Sequence, residues 1–358
     1  MKKTLLVAAA VLTALLFVSC GGPKDDTVDT VSAKTMAKEV EASGVEFSAN
    51  AKAVESAESF EKDVLPAIES DLEYAMAQAS SVISLTTSSK KRAAITEDDL
   101  NKSSEDLQKQ VKDFSNSISE GVKNLAAGKE IGASLDWEAP TGDVKVSDGV
   151  EFTISDAAVS ADVSITPPTA EDTALKFDAS GKVSMDYSGT VNLKKAANID
   201  TIPLAKISVC ANGKASVAGS VDYTKIVTTV AGLMMSSKTP DTSSLNIKEL
   251  AGDIDGSVKA YVGYSTGYVF NTANFAGIIT VDAEITAKED INAETLEKYL
   301  GLVMTLKGEP TKEFFDKLPV DASLYVTVYD KDGTKQFDYI KAESLYDVYT
   351  KGKDFVGF

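Results

Sequence analysis

Val183-Ser184-Met185-Asp186-Tyr187-Ser188-Gly189-Thr190-Val191-Asn192-Leu193 alternates apolar or small residues with polar ones over eleven positions. A period of two places every other side chain on one face of a strand. One face is then packed and the other wetted, which is the pattern of an antiparallel sheet. The same reading extends in both directions. Ile131, Ala133, Leu135 and Trp137 alternate, as do Val159, Ala161, Val163 and Ile165. Ala215, Val217, Gly219, Val221 and Tyr223 follow, then Val258, Ala260, Val262 and Tyr264, leading to Tyr268 and Phe270. Gly277, Ile279, Val281, Ala283 and Ile285, and finally Leu324, Val326 and Val328, complete the series. Ser180-Gly181, Asn212-Gly213, Asp255-Gly256 and Asp332-Gly333 read as turns between strands. Glycines 189, 219 and 277 inside long strands predict bends or bulges, hence a curved sheet.

Upstream of Ile131 the period is about 3.6. Met36, Val40, Phe47, Ala51 and Val54 form one apolar stripe, and Phe60, Val64, Ile68, Leu72, Met76, Ala79 and Ile83 form a second. Pro66 marks a first turn or a kink in the latter. A third stripe, Leu100, Leu107, Val111, Phe114, Ile118 and Leu125, has Thr96 as its cap and Gly128 as its stop. Shorter helical pieces are expected near residues 225–235, 293–306, 311–318 and 342–349. Helices segregated from a run of strands predict an α+β fold: N-terminal amphipathic helices, then a long-stranded, curved antiparallel sheet with covering helices. The corresponding divisions are 1–19, 20–30, 31–130 and 131–358. A transmembrane barrel fits less well, because paired aromatic girdles are missing and helices interrupt the strands.

The first twenty residues have a different character. Lys2 and Lys3 precede Leu5 to Val18, fourteen residues without a charge. As a helix that run is roughly 21 Å long, short of a ~30 Å hydrocarbon core but suited to a signal-peptide core. Leu16-Phe17-Val18-Ser19-Cys20 resembles the lipobox of bacterial lipoproteins, with the looser sequence seen in spirochaete lipoproteins and Phe17 where leucine is common. The resemblance implies cleavage before Cys20, a diacylglyceryl group on its thiol and an acylated amine. Residues 1–19 are then a leader and 20–30 a lipidated tether. The implied address is the cell envelope, with Gly21 pointing to the outer membrane. Two or three acyl chains suffice for stable anchoring, so the body need not touch the bilayer.

Composition narrows the chemistry. The leader carries two of the 36 basic groups and none of the 54 acidic ones, so the charge of −18 becomes −20 on cleavage. A surface this acidic repels nucleic-acid phosphates, and Arg92 is the single arginine. There is no histidine. That removes Ser-His-Asp and Cys-His catalysis and histidine-bearing zinc sites. Cys210, the second cysteine, lies in a strand pattern and reads as an inert buried thiol.

Several motifs have structural readings. Gly263-Tyr264-Ser265-Thr266-Gly267 matches Gly-x-Ser-x-Gly but lies between strands, where a hairpin turn explains it. Ser59-x-x-Lys62 and Ser88-x-x-Lys91 lack the companion elements of serine–lysine enzymes. Asp253-Ile254-Asp255-Gly256 and Asp330-Lys331-Asp332-Gly333 lack the later ligands of a calcium loop and read as hairpin turns. Thr86 to Arg92 is a polar, basic loop. The expectation is a non-catalytic binding or interaction module with Cys20 as the lipidation site, no metal, no cofactor and no nucleic-acid partner. Its partner is a protein, or else it carries a lipid or other amphiphile between the curved sheet and its helices.

Overall fold

The computed structural model describes residues 27–68, 95–125, 127–198, 200, 202–222, 253–305 and 308–356. The leader, Cys20, the basic loop and the expected helix near 225–235 lie outside them. The architecture is α+β, dominated by one open antiparallel sheet of nine strands. These are β1 (Ile131–Glu138), β2 (Gly142–Ser147), β3 (Val150–Thr166), β4 (Ala174–Val191), β5 (Ala205–Asp222), β6 (Asp253–Asn271), β7 (Ala276–Ile291), β8 (Val320–Tyr329) and β9 (Lys335–Ala342). They lie in the order β1-β3-β4-β5-β6-β7-β8-β9, and β2 pairs with β3 beside β1. The helices are α1 (Ala33–Ala42), α2 (residues 57–68), α3 (Glu97–Leu125), α4 (Leu193–Ala197), α5 (Ala293–Thr305), α6 (Lys312–Phe315) and α7 (Leu345–Val356).

The register keeps the alternation in phase across the sheet. Ala157, Met185, Ala211, Val262, Ile285 and Ala322 are successive partners on six neighbouring strands, so one face is apolar. Asp186, Cys210, Gly263, Glu284 and Ser323 are the matching row of the opposite, polar face. Three turn expectations fail for this reason. Ser180-Gly181, Asn212-Gly213 and Asp255-Gly256 all lie inside strands. A two-residue hairpin shifts the apolar phase by one, whereas Ile207, Val209, Ala211, Gly213, Ala215 and Val217 stay on one phase through Gly213. Only Asp332-Gly333 turns the chain, between β8 and β9, with Gly333 at φ 75°.

Glycines 189, 219 and 277 do not mark bulges, since pairing runs through each without a shift. They mark close approaches instead. A Cβ on Gly189 would stand 2.2 Å from the Phe152 ring that covers it. The register shifts lie elsewhere, in β2 between Lys145 and Ser147, in β3 between Ile154 and Asp156, and twice along β8 and β9.

The first apolar stripe is helical only to Ala42, where Ser43 and Gly44, at φ 73°, end it. Phe47, Ala51 and Val54 belong to a non-helical segment that bridges Lys52 to Phe275. α2 begins at Ala57, passes through a π-helical turn over Phe60–Val64, and is helical again at 65–68. The Leu65 N–H reaches back five residues to the Phe60 carbonyl. That wider turn accommodates Pro66, which has no N–H to give.

The two main core clusters lie back to back at one end of the sheet. On the apolar face Phe60, Val64, Leu65 and Ile68 of α2 pack on Phe270, Ile279, Val326 and Val328. On the polar face Ala33, Met36 and Val40 of α1 pack on Leu204, Val269 and Ile278. Lys206 Nζ adds a partly buried ion pair to Glu39 at 2.5 Å.

Candidate apolar ligand site

α3 crosses the apolar face beside β1. Thr96 Oγ1 accepts the Asp99 N–H at 3.2 Å, and Asp99 Oδ2 accepts the Thr96 N–H at 3.0 Å, a reciprocal cap that fixes where the helix starts. The Thr96 hydroxyl, donating to Asp99 Oδ2 at 2.6 Å, and then the Thr96 N–H hold the exposed Asp99 carboxyl below the usual carboxylate range. Gly121 lets α3 meet β1, because a Cβ there would lie 2.6 Å from Ile131 Cγ2. Trp137 Nε1–H donates to the Ser103 carbonyl at 3.0 Å, and Leu107 packs on the same indole.

Between α3 and the sheet this arrangement leaves a cavity of about 310 Å³. Leu100 and Leu107 line it from α3, Trp137 from β1, Val144 and Val146 from β2. Phe152, Ile154 and Ala157 line it from β3, and Met185 and Tyr187 from β4. The β3 bulge after Ile154 lies in this wall, where the extra residue re-aims the side chains on either side. Polar groups are few. Ser103 Oγ is buried in the wall without a hydrogen-bond partner. Burial pushes the Tyr187 hydroxyl up to about 12, so it stays neutral. The volume is at the low end for small-molecule sites, and the lining has their usual character, apolar with a few polar groups. It suits a hydrocarbon chain or ring that brings one neutral acceptor, such as a carbonyl oxygen, to Ser103. Ser104 and Asp156 complete its polar lining.

Of the third apolar stripe, Leu100 and Leu107 face this cavity, whereas Val111 is 48% exposed. The β2 contribution is unforeseen from sequence, although Val144 and Val146 alternate before the Asp148-Gly149 turn.

The remaining motifs are structural. Gly263 to Gly267 is no hairpin but the middle of β6. Ser265 is fully buried, donates to Asp282 Oδ1 at 2.5 Å and accepts the Val31 N–H at 2.8 Å. Val28 N–H donates likewise to Tyr261 Oη at 2.9 Å, and Tyr261 donates to Glu284 at 3.0 Å. The two glycines leave the track in which this N-terminal strap lies. A Cβ on Gly263 would stand 2.6 Å from Val28 Cβ, and one on Gly267 2.3 Å from Met36 Sδ. Burial, with Glu284 nearby, raises the Asp282 carboxyl, although the Ser265 hydrogen bond opposes the shift. Burial, then Asp29 and Asp156, raise Asp186 on the same face.

Ser59 donates to Asp63 at 3.1 Å rather than meeting Lys62, while Ser88 and Lys91 lie outside the described residues. Asp253 to Gly256 is strand, not a turn. Asp330 Oδ1 accepts the Asp332 and Thr334 N–H groups at 3.0 and 2.8 Å, which organises the β8–β9 turn. Cys210 is buried in β5. Among the described residues no cluster of three metal-ligating side chains occurs, and no helix is long and apolar enough to cross a membrane. Comparisons with protein-family models, with curated proteins and with solved structures found no match.

Proposed function

We propose that this chain is a non-catalytic, lipid-anchored binding protein of the bacterial cell envelope, held through acylated Cys20, most simply at the outer membrane. We further propose that its ligand is an amphiphile whose apolar part enters the cavity under α3. On this reading α3 is the cover of the site, and the sheet curls around it. The observation that carries the proposal is the lining: Leu100, Leu107, Trp137, Phe152, Ile154 and Met185 around about 310 Å³, with Ser103 Oγ buried among them without a hydrogen-bond partner. The lipobox-like Leu16 to Cys20 and the acidic body support the address.

The test uses the secreted Cys20→Ala form. Organic extraction and mass spectrometry should recover a co-purified amphiphile, and Leu107→Trp, which fills the cavity, should lose it. An empty extract, together with failure to bind a fluorescent fatty-acid analogue, overturns carriage. Palmitate labelling of the full chain tests the anchor separately. A second reading, a protein partner on the sheet, is favoured by Val183, Val262 and Ile285 on the apolar face, 48%, 45% and 44% exposed. It predicts that polar substitution of Val262 abolishes partner capture while leaving the extract unchanged.

A further inference from the structure

The strand register builds a second feature far from the cavity. Lys182 on β4 pairs with Lys214 on β5, Lys214 with Lys259 on β6, and Lys259 with Lys288 on β7. Four ammonium groups thus stand side by side on the polar face of four successive strands. With strands about 4.8 Å apart, the row spans about 14 Å. Lys214, Lys259 and Lys288 are exposed, and none of the four has a carboxylate within ion-pair distance among the described residues.

Chance and solubility explain this row poorly. The chain has 54 acidic groups against 36 basic ones, so a random neighbour of a lysine is more often acidic than basic. Like charges directly opposite across a sheet are destabilising. The neighbouring rows do not neutralise it. On one side lie Ser184, Asn212, Tyr261 and Thr286; on the other lie Ser180, Ser216, Ser257 and Asp290, the one carboxylate among the eight. A row of like charge that costs stability and is left unneutralised has the character of a binding site for the opposite charge.

We propose that this lysine row binds a sulfated polysaccharide lying across the strands. The chemistry of the flanking rows selects the ligand class. On one side the accessible hydroxyls of Ser180, Ser216 and Ser257 match sugar hydroxyls and sulfate oxygens, whereas on the other Ser184 and Tyr261 are buried. The two rows offer almost no exposed apolar side chain, so a folded protein would have no dry centre to bury there. Lysine is a compact point charge suited to sulfate. Nucleic acid would call for stacking aromatics or arginine, and the row has neither. The overall charge of −18 repels polyanions at long range, but this field is screened beyond about 8 Å at physiological salt, so binding is a short-range, salt-sensitive contact.

The test is titration of the Cys20→Ala form with a heparin-derived dodecasaccharide from 50 to 200 mM salt. Binding that weakens steeply with salt is expected. Lys214→Ser with Lys259→Ser should weaken it about tenfold or more and lower the salt slope by roughly two. Lys109→Ser with Lys331→Ser, exposed lysines off the row, should leave it unchanged. Should the first pair fail to fold, Lys182→Gln with Lys288→Gln asks the same question. Equal loss in the off-row pair, no loss in the row variants, or equal binding of polyglutamate at matched charge would each overturn the assignment. So would failure of heparin to bind at 50 mM salt.

Discussion

The two ends of the sheet are built differently from the same strands. At the end holding Phe270, Ile279 and Val328, α1 covers the polar face and α2 the apolar one, and the largest buried side chains gather there. At the other end none of the described residues in 158–166, 174–183, 211–221, 253–260 and 281–291 is buried. There the apolar face is made largely of small residues, Ala161, Gly181, Ala215 and Val258 along one row. Burial holds the first end. Apart from β1, where Ile131 and Leu135 are buried, the second is held by backbone pairing and cross-strand contacts, each worth a fraction of a kcal/mol. An uninterrupted register thus extends a sheet well beyond the part that has a core.

The sharpest challenge to this contrast is one truncation at each end. Phe270→Ala, at a residue 1% exposed, should cost about 3–5 kcal/mol in chemical denaturation. Ile285→Ala, at a residue 44% exposed, should cost under about 1 kcal/mol. Equal losses would mean that the two ends are packed alike. Next in size is Gly267→Val, which drives a side chain into Met36 and Val31. Overpacking of about 1–3 kcal/mol is expected, with new proteolytic cleavage between Val28 and Ala42 as the strap lifts. Thr96→Ala removes the α3 cap and should cost about 1 kcal/mol, read as a lower melting temperature.

The last prediction concerns pH at the covered polar face. Asp282 has a folded-state pKa raised by burial, so its ionised form opposes folding. Stability from this group is greatest below the ordinary carboxylate pKa and falls as pH rises through the raised value. Glu284 on β7, Asp29 on the strap, and Asp156 and Asp186 on β3 and β4 add to the negative field on this face. Asp282→Asn keeps an acceptor for Ser265 and removes the charge. Its melting temperature should exceed that of the parent at pH 7, and the gain should shrink on acidification towards pH 4. A gain that grows on acidification would reverse the assigned sign.

Much of the sheet was legible because its alternation is long and in phase. The false turns came from reading Asn212-Gly213 and its counterparts as dipeptides, when the phase of the residues on either side already argued for continuous strand. β9 escaped notice because Phe337 and Ile340 fall on opposite phases, where bulges break the pairing with β8. β2 has only two apolar residues, Val144 and Val146, to announce it. Whether a strand is covered is a tertiary property that its own pattern does not carry. The cavity was legible only in part: Trp137, Leu100 and Leu107 stood on recognisable stripes, but their convergence with Met185 depends on register. The lysine row was invisible in one dimension, because its members are 32, 45 and 29 residues apart in sequence and adjacent only through three strand pairings.

The coreless end also bears on how such a chain can change in length. A strand there touches only its two neighbours, as a unit does in a linear array. Lengthening neighbouring strands together by two residues near Ser180 and Ser216 would keep the apolar phase and disturb no buried side chain, whereas the same change beside Met185 and Val209 would split a packed cluster. Homologues should therefore differ in strand length at this end while keeping a fixed length around Phe270.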